Sequence, residues 1–363
     1  MYIEKLKLEN YRNYKEIELE FDPNVNIILG ENAQGKTNLI ESIYISSMGK
    51  SFRTSKDKET IKFDADMCRI ITFFNKYDED RSVEIAINKA GKKAIKVDGV
   101  AVKRLSNLME NILTVIFSPE DLKIIKEDPA KRRNFIDREL CQLKISYYNN
   151  LSSYKKVLMQ RNTYLKESNI DGQMLDVFNM QLANHGAKII KERVEFVKKL
   201  NNISKKLHEE ITNGKENIDI KYVSNIPVEE DINLIEQNFL NALKKSESQD
   251  MIHRNTSRGP HKDDLKVMIN NIDAKKFGSQ GQQRTAALAL KLAEINLITE
   301  EKEETPILLL DDVMSELDSE RQKYLVNSLK DVQIFLTTTE LVEEVKSNLP
   351  NGKIINVKKG EIS

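Results

Sequence analysis

The chain has 363 residues, of which 39% are hydrophobic and 31% charged, room for two domains or for one domain with a large insertion. Lys plus Arg and Asp plus Glu both number 57, so the net charge is zero. That excludes a globally basic nucleic-acid binder and leaves open a local basic face. The two cysteines, Cys68 and Cys141, form no CxxC pair and no Cys/His cluster, which argues against a disulfide framework or a zinc site. The N-terminus is charged from Glu4, and no apolar run approaches the ~20 residues of a membrane span. A cytoplasmic protein without a membrane partner is expected.

Residues 16–21 alternate strictly, as a half-buried strand does. Residues 25–29 are a short apolar run ending at Gly30, suited to a buried strand. From Lys36 to Met48 the spacing turns helical, with Leu39, Ile40, Ile43 and Tyr44 on one face. Alternation returns over 82–105, with turn signals at Lys89-Ala90-Gly91 and Asp98-Gly99 that predict hairpins. Between about 120 and 250 Gly and Pro become sparse. There 130–168 and 174–212 read as long helices, broken near Asp171-Gly172 and ended near Asn213-Gly214. Leu182, Ile189, Phe196 and Ile203 recur every seven residues, as packed helices require. Residues 264–269 read as a strand, 282–298 as an apolar-rich helix, and 307–310 and 334–336 as buried strands. The simplest account is an α/β domain made from both chain ends, with a helical insertion between them.

Gly30-Glu31-Asn32-Ala33-Gln34-Gly35-Lys36-Thr37 matches G-x-x-x-x-G-K-[ST] without a mismatch. The glycines let successive N–H groups turn toward phosphate oxygens, and the following helix adds the positive end of its dipole. Lys36 supplies a charge for the β- and γ-phosphates, and the Thr37 hydroxyl is placed to hold Mg²⁺. Asn38 follows at the helix start and is grouped with the ATP-binding residues. Such a pattern also occurs in ordinary Gly-bounded loops; the apolar strand before it and the amphipathic helix after it favour phosphate.

The strand at 307–310 runs into Asp311 and Asp312, and a parallel strand presents its carboxyl end to the ligand crevice. Asp311 is assigned to the metal and Asp312 to the attacking water, giving Lys36, Asp311 and Asp312 as the catalytic set. Ser279-Gln280-Gly281-Gln282 opens the helix at 282–298. Ser279 and the Gly281 backbone are placed to meet an anion there, and a plain N-cap loop is the alternative.

The order of these motifs resembles the ATP-binding-cassette superfamily, whose signature begins the helix leading to the acidic strand. Val313-Met314-Ser315-Glu316-Leu317-Asp318 looks like its D-loop. The resemblance implies a homodimer when ATP is bound, with Ser279, Gly281 and Gln282 of one copy covering the γ-phosphate held by the other. Leu6-Lys7-Leu8-Glu9-Asn10-Tyr11-Arg12-Asn13-Tyr14, then Asn26-Ile27-Ile28-Leu29-Gly30-Glu31-Asn32, resemble the SMC-like branch of DNA-repair ATPases. Lys50-Ser51-Phe52-Arg53, Phe117-Ser118-Pro119-Glu120-Asp121-Leu122 and Gly259-Pro260-His261-Lys262-Asp263-Asp264-Leu265 narrow the resemblance to the RecF family of bacterial recombination mediators.

That resemblance implies an ABC-type ATPase head over 1–120 and 255–363, with an inserted helical lobe over 121–254. It implies ATP and Mg²⁺ as cofactors, and single- and double-stranded DNA, RecR and RecO as partners. The activity implied is slow, DNA-stimulated ATP hydrolysis that resets a clamp acting at DNA gaps, where RecA is loaded. It also places Arg12 and Asn13 within reach of the nucleotide. Three departures stand out. Asp312 stands where transporter cassettes have Glu, Thr337-Thr338-Thr339 where they have a switch His, and no Gln occurs near 118–120, leaving Glu120 as a candidate contact.

A neutral chain needs concentrated basic faces to hold DNA. Lys92, Lys93, Lys96, Lys103 and Arg104 form one candidate, Arg132 and Arg133 another, and the helix around Lys198 a third. Solvated surface is the alternative for each. The other functional classes weighed are a mechanical cassette ATPase acting on a protein or membrane partner, and a small-molecule kinase using the phosphate loop alone.

Overall fold

Alternating side chains commit one face of each N-terminal strand to a core. The protein is described here by a computed structural model over residues 1–329, 331–340 and 352–362. The chain starts with β1 (Tyr2–Tyr11), β2 (Tyr14–Glu20), β3 (Val25–Leu29) and α1 (Lys36–Met48). It continues through β4 (Met67–Lys76), β5 (Glu79–Asn88), β6 (Lys93–Val97), β7 (Val100–Ala101), α2 (Ser106–Met109) and β8 (Thr114–Phe117). Six of these strands make an antiparallel sheet in the order β2-β1-β4-β5-β6-β7. Asp98 and Gly99, both at positive φ, form the tight turn between β6 and β7 that the sequence signals there. A bulge between Ile3 and Lys5 shifts the β1–β4 register, so Ile3 and Leu6 are both buried although three residues apart.

Next come α3 (Pro129–Leu143), α4 (Ile145–Tyr164), α5 (Gly172–Ile211), β9 (Ile218–Val223), α6 (Ile232–His253), β10 (Asp264–Ile269), β11 (Ile272–Asp273) and α7 (Ala274–Phe277). The helix expected over 130–168 is two helices. Lys144 breaks it with an extended backbone, φ −138° and ψ 110°, and its ammonium is tied to Glu192 on α5. Asp171 accepts from the Gln173 amide and so caps the start of α5, while Asn213 and Gly214, both at positive φ, follow its end.

The chain closes with α8 (Gln280–Lys302), β12 (Ile307–Asp311), α9 (Ser319–Asn327), β13 (Ile334–Thr338), β14 (Lys353–Lys358) and β15 (Glu361–Ile362). The second large sheet has the order β15-β14-β3-β13-β12-β8. Five of its strands are parallel, and only β15 runs against them. Near-continuous apolar runs, such as Ile307-Leu308-Leu309-Leu310, fit strands buried on both faces.

Two compact units result. One comprises residues 1–122 and the chain from 290 onward; the other comprises 123–289. Residues 255–289, expected with the ATPase domain, lie in the second unit. The cause is β10, which pairs with β9 from Asp264↔Val223 to Ile269↔Ile218. Within that unit the fully buried Arg161 on α4 donates to Asp250 (2.9 Å), Thr256 (2.7 Å) and Asn179 (2.9 Å), fastening α4, α5 and α6 together.

Candidate active site

Register brings the site together in the first unit. β13 lies between β3 and β12, with Thr338 opposite Leu29 and Thr337 opposite Asp311. The carboxyl ends of three parallel strands therefore meet beside the loop that joins β3 to α1.

Two glycines are required there. Gly35 has φ 124°, and a Cβ on it would lie 2.6 Å from Asn13 Nδ2 and 2.9 Å from Tyr14 Oη. A Cβ on Gly30 would lie 2.4 Å from the Val357 carbonyl oxygen. The loop is held from outside. Tyr14 Oη donates to Gly35 O (3.0 Å), Asn13 Nδ2 to Gln34 O (2.8 Å), and the Lys359 amide to Gln34 Oε1 (2.6 Å). Among the described residues none accepts a hydrogen bond from the amides of Glu31, Asn32, Ala33, Gln34 or Gly35. These donors, with the first turn of α1 behind them, make an anion cradle. Lys36 is 4% exposed and arches back over the loop, donating to Gly30 O (2.6 Å) and Glu31 O (3.0 Å).

Thr37 Oγ1 donates to Asp311 Oδ1 at 2.9 Å, and Thr337 Oγ1 donates to the same oxygen at 3.0 Å. Burial raises the Asp311 carboxyl above the usual range, against the two hydroxyls and with help from the neighbouring Asp312 charge. Asp312 is at φ 52°, its amide donates to Thr337 Oγ1 (2.9 Å), and no described residue hydrogen-bonds its carboxylate. Thr337 is thus a bridge between the two acids. Its hydroxyl is committed to them, and only the displaced switch position hinted at it in the sequence.

Arg12 and Asn13 sit behind the loop. Arg12 forks onto Glu41 (2.8 and 2.6 Å) and donates to Glu59 O (2.6 Å). Asn13 accepts from Asn38 Nδ2 (2.8 Å), and Asn38 accepts from Arg53 Nη1 (2.7 Å). Glu41 has no exposed surface and also accepts from Tyr11 and Ser51. Burial pushes its carboxyl up, but the hydrogen bonds from Arg12 and Ser51 prevail and hold it below the ordinary range. Sequence reasoning missed Tyr14, Glu41 and Ser51. Only the run Asn10 to Tyr14 and Lys50-Ser51 pointed toward them.

The other expected residues are placed as follows. Ser118 donates to Asp121 (2.8 Å), and Glu120 is exposed just beyond β8. In the second unit, Ser279 and Gly281 are exposed. Ser279 Oγ accepts from the Gln282 amide (3.2 Å), and Gln282 Oε1 accepts from the Ser279 amide (2.9 Å). That is a capping box at the start of α8. Lys92, Lys96, Lys103 and Arg104 are exposed. Lys93 is largely covered and paired with Asp57 at 2.7 Å. Arg132 corrects the expectation for the second basic cluster. It is 3% exposed, forked onto Asp264 (2.6 and 2.9 Å) and bonded to the Glu127 carbonyl, so it offers no face to a phosphate. Arg133 is half-buried and donates to Asp263 O (2.7 Å). Cys68 and Cys141 are both buried, and neither forms a disulfide among the described residues.

A phosphate loop, an acidic strand end and this parallel sheet define an SMC-type ATPase head. The Smc head domain bound to the C-winged helix domain of ScpA has the same fold, with TM-score 0.56 and 17% identity over all of this chain and 96% of that one. The RecF/RecN/SMC N terminal domain family matches residues 2–359. Within it, the chain is 48% identical to the DNA replication and repair protein RecF of Clostridium tetani, over 99% of both chains. It is 46% identical to that of Clostridium perfringens, over 100% of this chain and 99% of the relative. The solved recombination mediator RecF-ATP of the RecFOR pathway superposes with TM-score 0.92 at 40% identity, covering 100% of this chain and 97% of that one. This chain belongs to the RecF family of DNA replication and repair proteins.

Proposed function

We propose that the chain is an ATP-dependent DNA-binding recombination mediator. It works in the cytoplasm at gaps between single- and double-stranded DNA, with RecR and RecO, and helps RecA to load. ATP binding joins two copies and creates DNA affinity; slow, DNA-stimulated hydrolysis releases the clamp. The observation that carries this reading is the Thr37–Asp311 contact beneath a loop whose amides from Glu31 to Gly35 donate to no described residue.

The chain's own groups divide the work. The amides of the cradle and the α1 terminus take phosphate oxygens. Lys36 leaves the Gly30 and Glu31 carbonyls for the β- and γ-phosphates. Thr37 and Asp311 are two oxygen donors already together, and the raised Asp311 carboxyl is one that a cation draws back to its charged form, so both fit Mg²⁺. Mg²⁺ arriving with ATP would supply charge neutralisation at the phosphates. Asp312, with its carboxylate uncommitted, orients the attacking water. Arg12 and Asn13 brace the cradle and stand near the nucleotide, and Asn38 joins them. Ser279, Gly281 and Gln282 of the second copy complete the γ-phosphate site. Lys92, Lys96, Lys103 and Arg104 contact the DNA backbone without reading bases.

Lys36→Met is expected to weaken ATP roughly 10- to 100-fold, since hydrogen bonds to charged groups contribute about 1.5–3 kcal/mol. Titration with a fluorescent ATP analogue measures this. The wider reading is tested by fluorescence anisotropy of labelled gapped DNA with ATP, with ADP and without nucleotide. Affinity should appear with ATP alone, and affinity that ignores the nucleotide overturns it.

A further inference from the structure

The second unit holds a cavity of about 180 Å³ that the nucleotide reading does not use. Three helices wall it at helical spacing. Arg133 and Asp137 come from α3, Tyr154 and Lys155 from α4, and Ile189 and Arg193 from α5; the turn at His261 closes the end.

Its charges do not balance. Arg193, 2% exposed, donates through Nη2 (2.7 Å) and Nε (3.2 Å) to one oxygen of Asp137, and through Nη1 to Pro260 O (2.7 Å). The other Asp137 oxygen lies 3.8 Å from Lys155, whose side chain is 61% exposed. Among the described residues the one hydrogen-bond acceptor of Arg133 is a carbonyl, Asp263 O. The nearby carboxylates are turned elsewhere: Asp263 accepts from Tyr222 and Asn225, and Asp264 holds Arg132. His261 adds no charge. Its Nε2 donates to Thr256 O (2.9 Å), its Nδ1 accepts from Tyr154 Oη (2.7 Å), and burial pushes its pKa down to about 4. Among the residues that line the cavity one carboxylate therefore faces three cations, while Asp263 and Asp264 act on Arg133 from outside the lining. Burial first, and then the Arg193 charge, hold the Arg133 guanidinium below its ordinary range, against the opposing pull of Asp264, Asp137 and Asp263.

We infer that this cavity is a docking site for a single acidic side chain of a protein partner, a function beyond ATP and DNA binding. The volume lies below the roughly 300–1,000 Å³ of small-molecule sites, too small for a nucleotide. Leu151 and Ile189 offer apolar wall to a methylene stem, and Arg133 and Lys155 offer charge-assisted hydrogen bonds to its carboxylate. A side chain ends in its charge and can enter, whereas a nucleic-acid strand continues on both sides of every phosphate.

The test titrates the full chain, with methyl-labelled Leu and Ile, with the blocked pentapeptide Ala-Leu-Glu-Leu-Ala. Its Glu-to-Gln analogue and a single-stranded oligonucleotide are the controls. The glutamate peptide is expected to shift the Leu151 and Ile189 methyl signals saturably, with Kd about 1 mM. The glutamine peptide should bind at least about tenfold more weakly, the loss of one charge-assisted contact. Arg133→Gln and the milder, exposed-site Lys155→Gln should each cut affinity for the glutamate peptide while leaving nucleotide binding at the phosphate loop intact. Equal binding of both peptides, shifts caused only by the oligonucleotide, or no saturable shift would overturn the assignment. None of these outcomes bears on the phosphate loop.

Discussion

Asp312→Asn should bind ATP and pair its subunits like the wild type yet hydrolyse about 100- to 10,000-fold more slowly, the range for losing a general base. Asn suits the left-handed backbone at this position, φ 52°, as well as Asp does, so the fold is not strained. The substitution also removes a negative charge that raises the Asp311 carboxyl, so Asp311 takes its charged form more readily in the variant. Phosphate release at saturating ATP, read beside an ATP titration, separates the two effects. Full turnover would remove Asp312 from its role.

Arg12→Ala should cost about 3–5 kcal/mol of stability, because breaking a buried ion pair leaves the other charge compensated only by Arg53, 3.7 Å away. Glu41 has no exposed surface, and Arg12 supplies two of its hydrogen bonds. Tyr11 and Ser51 still donate to it in the variant, which favours the lower end. The sign with pH follows from the lowered Glu41 carboxyl. In the wild type its contribution is complete above the unfolded pKa of about 4.3 and is lost as pH falls through the lower folded value. In Arg12→Ala that acid loss should shrink. Urea unfolding at neutral and acid pH measures both. A loss under about 1 kcal/mol, the scale of an ordinary surface change, would contradict the network.

Much of the head was legible because its signals are local. The strand Val25–Leu29, the loop to Thr37 and the helix Lys36–Met48 each follow from apolar run, glycine and spacing, and each lies where it was expected. The buried strand ending in Asp311 did too. The failures are non-local. Lys144 is an ordinary helix former, and only its tie to Glu192 and the turn of the chain there betray a break. Strand β9 was lost in a charged region because its partner, β10, lies far along the chain. Arg132 looked like its neighbours Lys131 and Arg133, but helix α3 turns it inward toward Asp264. The brace of Tyr14, Asn13 and Gly360 around the loop joins segments that no periodicity links.

The central claim is closure of two copies over shared triphosphates, and particle mass tests it most directly. Light scattering with a non-hydrolysable ATP analogue should give twice the chain mass for the wild type. Ser279→Arg should stay at one chain mass while still binding the analogue. Its lost cap costs only about 1 kcal/mol at one end of a 23-residue helix. A wild type that stays single at saturating analogue, or a Ser279→Arg protein that pairs as well as the wild type, would contradict the account.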